Sequence, residues 1–139
     1  MNRRIMVVDD DPGILLSTTF FLKQAGFEVS QAANGREALR KLLGAQRRRI
    51  PYDLLITDNQ MPEMSGRELF QEIRLYTRSL PVFVVSGLWD AGFARELEAD
   101  GRAAFFLKPV DLEEFVTGVK FHMEGSGRTW KDLSSRLVS

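Results

Sequence analysis

Short apolar segments alternate five times with segments of helical pattern, and this alternation constrains the fold more than any other feature of the chain. Four of the segments are apolar runs, continuous or nearly so, which is typical of strands that are covered on both faces. The segment over residues 28–32 is more polar, and we expect it nearer an edge of the sheet. The five strand-like segments span residues 5–8, 28–32, 54–57, 82–86 and 103–107. Because strands and helices alternate, we predict an α/β fold with a parallel sheet and right-handed crossovers.

The helical segments carry both apolar stripes and start signals. The clearest stripe is formed by Leu112, Phe115 and Val119, which recur at the spacing of one helix face. Asp11 followed by Pro12 predicts an N-cap and a first-turn proline. Three further pairs have capping-box spacing: Asn34 with Glu37, Ser65 with Glu68, and Asp111 with Glu114.

The segment over residues 88–99 is the weakest helix by pattern, because its glycine and its scattered apolar residues form no stripe. A connection between the fourth and fifth strands is nevertheless needed there. After residue 123 the chain changes character, with Gly125, Ser126 and Gly127 as a break. We therefore expect one domain over residues 1–123, followed by a tail or the start of a linker over residues 124–139.

Composition argues against several classes of function. Lys and Arg together number 19, as do Asp and Glu, so the formal net charge is zero and no basic excess suggests a nucleic-acid surface. The chain has no cysteine, which excludes disulfides and thiolate metal sites. No apolar run approaches the roughly 20 residues of a membrane helix, and a signal peptide would need a longer apolar stretch. We expect a cytoplasmic protein that binds neither nucleic acid nor membrane.

Polar residues follow the predicted strands at the edge where a parallel sheet has its functional crevice. The first strand leads into Asp9 and Asp10, and the third leads into Asp58. The fourth ends at Ser86, and the fifth leads into Lys108. We therefore expect three carboxylates, a hydroxyl and an ammonium group to converge at one end of the sheet.

This set of groups predicts phosphate chemistry around a hard cation. Clustered carboxylates repel each other unless a cation is present, and oxygen ligands suit Mg²⁺. A lysine and a hydroxyl are suitable partners for phosphate oxygens. A carboxylate beside a divalent cation can attack phosphorus as a nucleophile and form an acyl phosphate.

Four motifs, in this order, resemble the receiver domain of two-component response regulators. They are MVVDD at 6–10, YDLLITDNQMPEMSG at 52–66, LPVFVVSG at 80–87 and FFLKPV at 105–110. Each motif alone is weak, whereas all four at these separations are highly specific, and the resemblance spans about residues 3–123. It implies a flavodoxin-like, doubly wound sheet of five parallel strands in the order 2-1-3-4-5, with helices on both faces.

The resemblance also implies roles for the matching residues around the metal. Asp58 would be the phosphoacceptor. Asp9, Asp10, Asp58 and the backbone carbonyl of Gln60 would hold Mg²⁺, with Mn²⁺ as an alternative ion. Gln60 and Leu88 would border the approach of the hydrolytic water and so tune the lifetime of the acyl phosphate.

Further matching positions imply phosphoryl binding and a switch. Ser86, Gly87 and Lys108 would bind the phosphoryl group, and Ser86 with Phe105 would form the switch pair. The Lys108–Pro109 bond resembles the cis peptide of the family, which is a conformation that only X-Pro bonds adopt cheaply. Phe105 offers no phenolic oxygen, so a switch at this position would have to work by packing alone.

The expected function is Mg²⁺-dependent transfer of a phosphoryl group to Asp58 from a phosphohistidine of a sensor histidine kinase or a phosphotransfer protein. Transfer would alter the binding of a downstream protein or a fused output domain. The fourth helix, fifth strand and fifth helix form a candidate homodimer interface. The chain would be a signalling phosphoacceptor rather than an enzyme, although it would assist its own phosphorylation and dephosphorylation.

Three alternatives fit parts of the sequence. The first is a receiver-like interaction module that works without phosphorylation, but the side chains expected to carry the phosphoryl chemistry are all present, namely Asp9, Asp10, Asp58, Ser86 and Lys108. The second is a magnesium-dependent phosphatase that forms an aspartyl phosphate, but such an enzyme needs a general acid where this chain has Gln60. The third is a flavin or dinucleotide site, but no G-x-G-x-x-G follows the first strand.

Overall fold

The computed structural model describes residues 2–123, which form a five-stranded sheet covered by helices on both faces. The elements in chain order are β1 (Arg4–Val8), α1 (Pro12–Gln24), β2 (Glu28–Ala32), α2 (Gly35–Arg47), β3 (Leu54–Thr57), α3 (Gly66–Arg74), β4 (Val82–Ser86), α4 (Ala91–Asp100), β5 (Ala103–Leu107) and α5 (Leu112–Met123). All strand pairs are parallel, in the order β2-β1-β3-β4-β5. The predicted fold class and strand order are therefore confirmed. The expected tail at 124–139 lies outside the described residues.

Each face of the sheet carries its own part of the apolar core, because successive side chains along a strand point to opposite faces. One core cluster joins the sheet to α1 and α5, with Ile56 and Phe83 from the strands against Leu22 and Phe115 from the helices. The other joins the sheet to α2, α3 and α4. Burial on both sides explains why β3 and β4 consist almost entirely of apolar residues.

Four of the five described helices begin at the residues that the capping signals indicate. The following four side chains accept hydrogen bonds from first-turn backbone N–H groups: Asp11, Asn34, Ser65 and Asp111. Ser65 and Glu68 form a complete capping box. The box at Asn34 is incomplete, because the Glu37 carboxylate accepts from the N–H of Ala33 instead. Within residues 2–123, none of the helices has both the length and the apolar character needed to cross a bilayer.

Two elements differ from the sequence-based expectation. β1 begins one residue earlier, at Arg4, whose N–H donates to the Asp53 carboxylate at 2.8 Å. The segment that looked a poor helix contains α4, a regular helix of 10 residues. Asp90 caps this helix, and only Phe93 and Leu97 are buried, so the apolar stripe is too narrow to stand out in the sequence.

Candidate phosphoryl-transfer site

Four of the five strands bring their last or following residues to one crevice at the carboxyl edge of the sheet. β1 and β3 are adjacent and in parallel register, so Asp9 and Asp58, which follow them, lie close together. β4 and β5 pair in the same way, and the backbone N–H of Lys108 donates to the carbonyl of Ser86 at 2.8 Å. The topology therefore brings together the strand ends that carry Asp9, Asp58, Ser86 and Lys108, and Asp10 follows Asp9 directly in the chain.

Three carboxylates form a compact group in this crevice. Oxygens of Asp9, Asp10 and Asp58 all lie within 4.8 Å of one another. Asp9 and Asp58 are only 5% and 8% exposed, whereas Asp10 faces solvent. Asp9 is oriented by the backbone N–H of Asp11, which donates to its Oδ1 at 2.9 Å. Carboxylate oxygens at this spacing fit a hard divalent cation such as Mg²⁺.

Lys108 supplies positive charge to the same group. Its Nζ lies 3.5 Å from Oδ2 of Asp9 and 3.8 Å from Oδ1 of Asp58. Burial raises the pKa of Asp58. The nearby Lys108 ammonium lowers this pKa, and the Asp9 carboxylate raises it further. The backbone N–H groups of Gln60 and Asn59 also donate to Asp58 and lower its pKa, but the net shift is upward. One ammonium group is too little to neutralise three carboxylates. A bound cation would compensate the negative charge that remains.

Ser86 is the last residue of β4, at the carboxyl edge of the sheet, and it is completely buried. Its Oγ accepts the backbone N–H of Leu88 at 3.3 Å, which is a long hydrogen bond. A Cβ atom built on Gly87 would have no neighbour within 4 Å, so the space there is open. The Lys108–Pro109 peptide bond is cis. Lys108 lies beside the carboxylates, and the hydrogen bond of its backbone N–H to the Ser86 carbonyl fixes the end of β4 next to it.

The loop after Asp58 is held against α3 by close backbone packing that the sequence analysis did not identify. The N–H of Gly66 donates to the Asn59 carbonyl at 3.0 Å, and the N–H of Arg67 donates to Asn59 Oδ1 at 2.9 Å. A Cβ atom on Gly66 would lie 2.3 Å from the carbonyl oxygen of Asp58. Only glycine permits this approach, and its place directly after the Ser65 cap is the signal that could have indicated it.

The two residues expected to tune hydrolysis are at the rim of the crevice. The side chain of Gln60 is exposed, while its backbone N–H donates to Asp58. Leu88 is 62% exposed, two residues after Ser86.

Phe105 is the residue of β5 at the expected switch position, and it is 6% exposed. Its ring packs edge to face against Trp89, with ring centroids 5.1 Å apart. It also contacts Phe93 of α4, with centroids 6.0 Å apart. Trp89 is 54% exposed and was not anticipated from the sequence, because it follows β4 in a loop with no periodic pattern.

A cavity of about 560 Å³ extends from the crevice between α1 and α5. Asp58 and Lys108 lie at its polar end, Gly13 and Ser17 line the α1 side, and Phe115 lines the α5 side. Its volume is within the range of small-molecule pockets. The small residues on α1 therefore leave Asp58 accessible from this side despite its low exposure.

Comparison with known proteins identifies the family. The family model described as "Response regulator receiver domain" matches residues 5–120. The chain is 33% identical over 122 residues to the sensor kinase CckA of Brucella abortus, covering 86% of this chain and 12% of that protein. It is 28% identical over 123 residues to sporulation initiation phosphotransferase F of Bacillus subtilis, covering 88% and 95%.

Solved structures agree with this result. A response regulator receiver domain protein from Methanospirillum hungatei superimposes with a TM-score of 0.79 at 27% identity, covering 91% of this chain and 98% of that one. Four of the curated relatives are much longer proteins, and the chain spans between 12% and 54% of their length. The match over nearly all of the described residues shows that the chain belongs to the response regulator receiver domain family of two-component systems.

Proposed function

We propose that Asp58 accepts a phosphoryl group from the phosphohistidine of a sensor histidine kinase or a phosphotransfer protein. The observation that carries this proposal is the position of Asp58, next to two further carboxylates and 3.8 Å from the Lys108 ammonium. The relatives include a sensor kinase and a phosphotransferase, which supports a donor of this class. The same arrangement supports the role of a phosphoacceptor in signal transduction rather than that of an enzyme that acts on a separate substrate.

In the transfer step, a carboxylate oxygen of Asp58 attacks phosphorus, the phosphorus–nitrogen bond of the donor breaks, and its electron pair returns to the imidazole. Lys108 compensates negative charge on the phosphoryl oxygens, and the Ser86 hydroxyl donates a hydrogen bond to one of them. Asp9, Asp10, Asp58 and the Gln60 carbonyl would hold Mg²⁺, or Mn²⁺ in its place. The ion would supply electrostatic stabilisation of the charge on phosphorus.

Phosphorylation would act on the surface formed by α4, β5 and α5. A phosphoryl oxygen that draws Ser86 inward would leave space beside β5, and Phe105 would repack into it. Because Trp89 contacts Phe105, its fluorescence should change on phosphorylation, and a Trp130→Phe background removes the second tryptophan of the chain. This surface is where we expect a downstream protein, a fused output domain or a second copy to bind.

The experiment is phosphorylation of the purified chain with acetyl phosphate in the presence of Mg²⁺, followed by intact-mass measurement. Wild type should gain the mass of one phosphoryl group, and the gain should need Mg²⁺. Asp58→Asn should show none, while Asp53→Asn, which alters a carboxylate on the opposite edge of the sheet, should behave like wild type. Equal labelling of Asp58→Asn would overturn the assignment, and no labelling of wild type would favour an interaction module independent of phosphorylation.

Location and domain organisation complete the proposal. We infer a cytoplasmic location, as suits a partner of sensor kinases and a chain without cysteine. We also infer that residues 1–123 form the receiver and that residues 124–139 are a tail or the start of a linker. Neither nucleic acid nor membrane is a proposed partner of this part of the protein.

A further inference from the structure

One arginine side chain ties the start of α3 to the start of α4. Arg67 Nε and Nη2 each lie 3.0 Å from Oε1 of Glu96, and Nη1 lies 3.9 Å from Oδ2 of Asp90. The guanidinium also lies over the ring of Phe93, 5.6 Å from its centroid. We refer to these contacts of Arg67 with Asp90, Phe93 and Glu96 as the α3–α4 clasp.

On the α3 side, the clasp is anchored to the loop that follows Asp58 and leads into α3, which we call the acceptor loop. The backbone N–H of Arg67 donates to Oδ1 of Asn59, the residue directly after Asp58. Gly66, one residue before, has its Cα packed against the Asp58 carbonyl, with no room for a Cβ atom. The backbone at the start of α3 therefore cannot shift without moving the acceptor loop.

On the α4 side, the clasp holds a segment that begins at the phosphoryl-binding serine. Only Gly87, Leu88 and Trp89 lie between Ser86 and Asp90. Asp90 both caps α4, by accepting the N–H of Phe93 at 3.0 Å, and faces Arg67. Movement of Ser86 toward Asp58 would pull on a short connection whose other end is held by Arg67.

We propose that Arg67 is a positioning residue that holds α4 in its unphosphorylated place. The inference rests on the proposed phosphorylation of Asp58, which would draw Ser86 inward and displace Asp90 and α4 from Arg67. A contact that is made in only one of two states shifts the equilibrium toward that state. The α3–α4 clasp therefore opposes the phosphorylated arrangement, and its removal makes that arrangement easier to reach.

The chain offers a matched control on the same pair of helices. Arg74, near the other end of α3, binds Asp100 at the end of α4 through Nε and Nη2, at 2.8 and 2.9 Å. This pair joins the same two helices with the same chemistry, but it is remote from Ser86 and from the acceptor loop. General loosening of α4 would follow from the loss of either arginine, whereas the proposed effect belongs to Arg67 alone.

The experiment is a calorimetric titration of the full chain with beryllium fluoride in the presence of Mg²⁺, together with hydrogen exchange of the α4 amides. Arg67→Met retains much of the apolar stem and removes the charge. It should bind beryllofluoride about two- to fivefold more tightly than wild type, as expected for one partly exposed ion-pair group. Exchange in the first turn of α4 should be faster in this variant before any ligand is added. Arg74→Met should leave beryllofluoride affinity unchanged.

The outcomes separate this inference from the proposed function. If wild type fails to bind beryllofluoride with Mg²⁺, the proposed function and this inference both fail. If wild type binds and Arg67→Met binds equally or more weakly, only the clasp is overturned, as it is if Arg74→Met gives the same gain. Glu96→Gln weakens the clasp from the other side and should also bind more tightly, which keeps the test available if Arg67→Met does not fold.

Discussion

The side-chain nitrogen of Lys108 lies 3.8 Å from Oδ1 of Asp58, close enough for attraction but beyond hydrogen-bonding distance. The same nitrogen lies 3.5 Å from Oδ2 of Asp9, so two carboxylates share one ammonium group. Burial outweighs this shared charge, and the pKa of Asp58 is raised above its ordinary value of 3.8. Ionised Asp58 is therefore a source of instability in the fold until a cation is bound.

The first prediction concerns stability and pH. The pKa of Asp58 is raised in the folded state, so the folded protein favours the protonated carboxyl. The stabilisation from this protonation is fully present below the ordinary pKa of 3.8 and is lost as the pH rises through the folded pKa. Asp58→Asn cannot ionise. Without divalent ions it should be more stable than wild type at neutral pH by roughly 1 kcal/mol, and this difference should shrink in acid.

Urea unfolding of both proteins in a chelating buffer, from acid to neutral pH, measures this difference. Adding Mg²⁺ should stabilise wild type more than Asp58→Asn, because binding to the folded state alone raises stability. A variant that is less stable than wild type at neutral pH, or a difference that does not depend on pH, would contradict the expected electrostatics.

A second prediction separates two neighbouring aspartates. Asp10→Ala should weaken Mg²⁺ binding strongly, because Asp10 contributes one carboxylate to the acidic group. Asp11→Ala should instead cost about 1 kcal/mol of stability, since its Oδ1 accepts from the N–H groups of Gly13 and Ile14 at 2.9 and 3.2 Å. Magnesium titration and urea unfolding of both variants test this division. Equal losses of Mg²⁺ affinity would show that the assignment of metal ligand and helix cap is wrong.

The sequence predicts those strands and helices whose pattern of apolar residues and capping residues matches the side chains that are buried in the fold. Four of the five strands match their predicted bounds, and two of these, β3 and β4, are fully buried along their length. The sequence pattern predicts only a poor helix over α4, because Phe93 and Leu97 are its only buried residues and form no wide apolar stripe. Its cap, Asp90, is a local start signal, but no apolar stripe follows it to mark the helix.

Contacts between distant parts of the chain had no local signal at all. The pair Arg67 and Glu96 is separated by 29 positions, and nothing in either helix marks one as the partner of the other. The contact of Trp89 with Phe105 depends on how the loop after β4 folds back over β5. The convergence of Asp9, Asp58 and Lys108, by contrast, follows from topology, because parallel strands align their carboxyl ends.

A third prediction tests the close packing of Gly66 against the backbone of Asp58 and Asn59. In Gly66→Ala the new Cβ would lie 2.3 Å from the Asp58 carbonyl oxygen and 2.8 Å from Cα of Asn59. The neighbouring atoms are backbone, so the loop has to shift. We expect a loss of about 2 kcal/mol or more, together with slower phosphorylation of Asp58.

Gly87→Ala is the matched control, because a Cβ there has no neighbour within 4 Å. Its unfolding free energy should stay within about 0.5 kcal/mol of wild type. Urea unfolding gives both values. If both glycine variants lose the same stability, the close packing of Gly66 on the acceptor loop is not the cause.

The last prediction concerns the lifetime of the acyl phosphate. Hydrolysis requires a water oxygen to attack phosphorus while the bond to the Asp58 oxygen breaks, which releases the carboxylate and inorganic phosphate. Leu88 lies at the rim two residues after Ser86 and is 62% exposed. Its side chain cannot hydrogen-bond a water and would tend to exclude one. Gln60 can hold a water but carries no negative charge. We therefore expect a phosphorylated state that lasts minutes or longer.

Leu88→Glu should shorten this lifetime by roughly tenfold, a change of about 1.4 kcal/mol in activation free energy, because a carboxylate can accept a hydrogen bond from the attacking water. Leu88→Ala separates the two causes, since it removes the bulk without adding an acceptor. A smaller acceleration in Leu88→Ala would assign the remainder to the carboxylate. The measurement is the decay of phosphorylated protein by intact mass after removal of the phosphodonor, with Mg²⁺ retained. Decay of wild type within seconds, or a glutamate variant no faster than wild type, would refute the role given to Leu88.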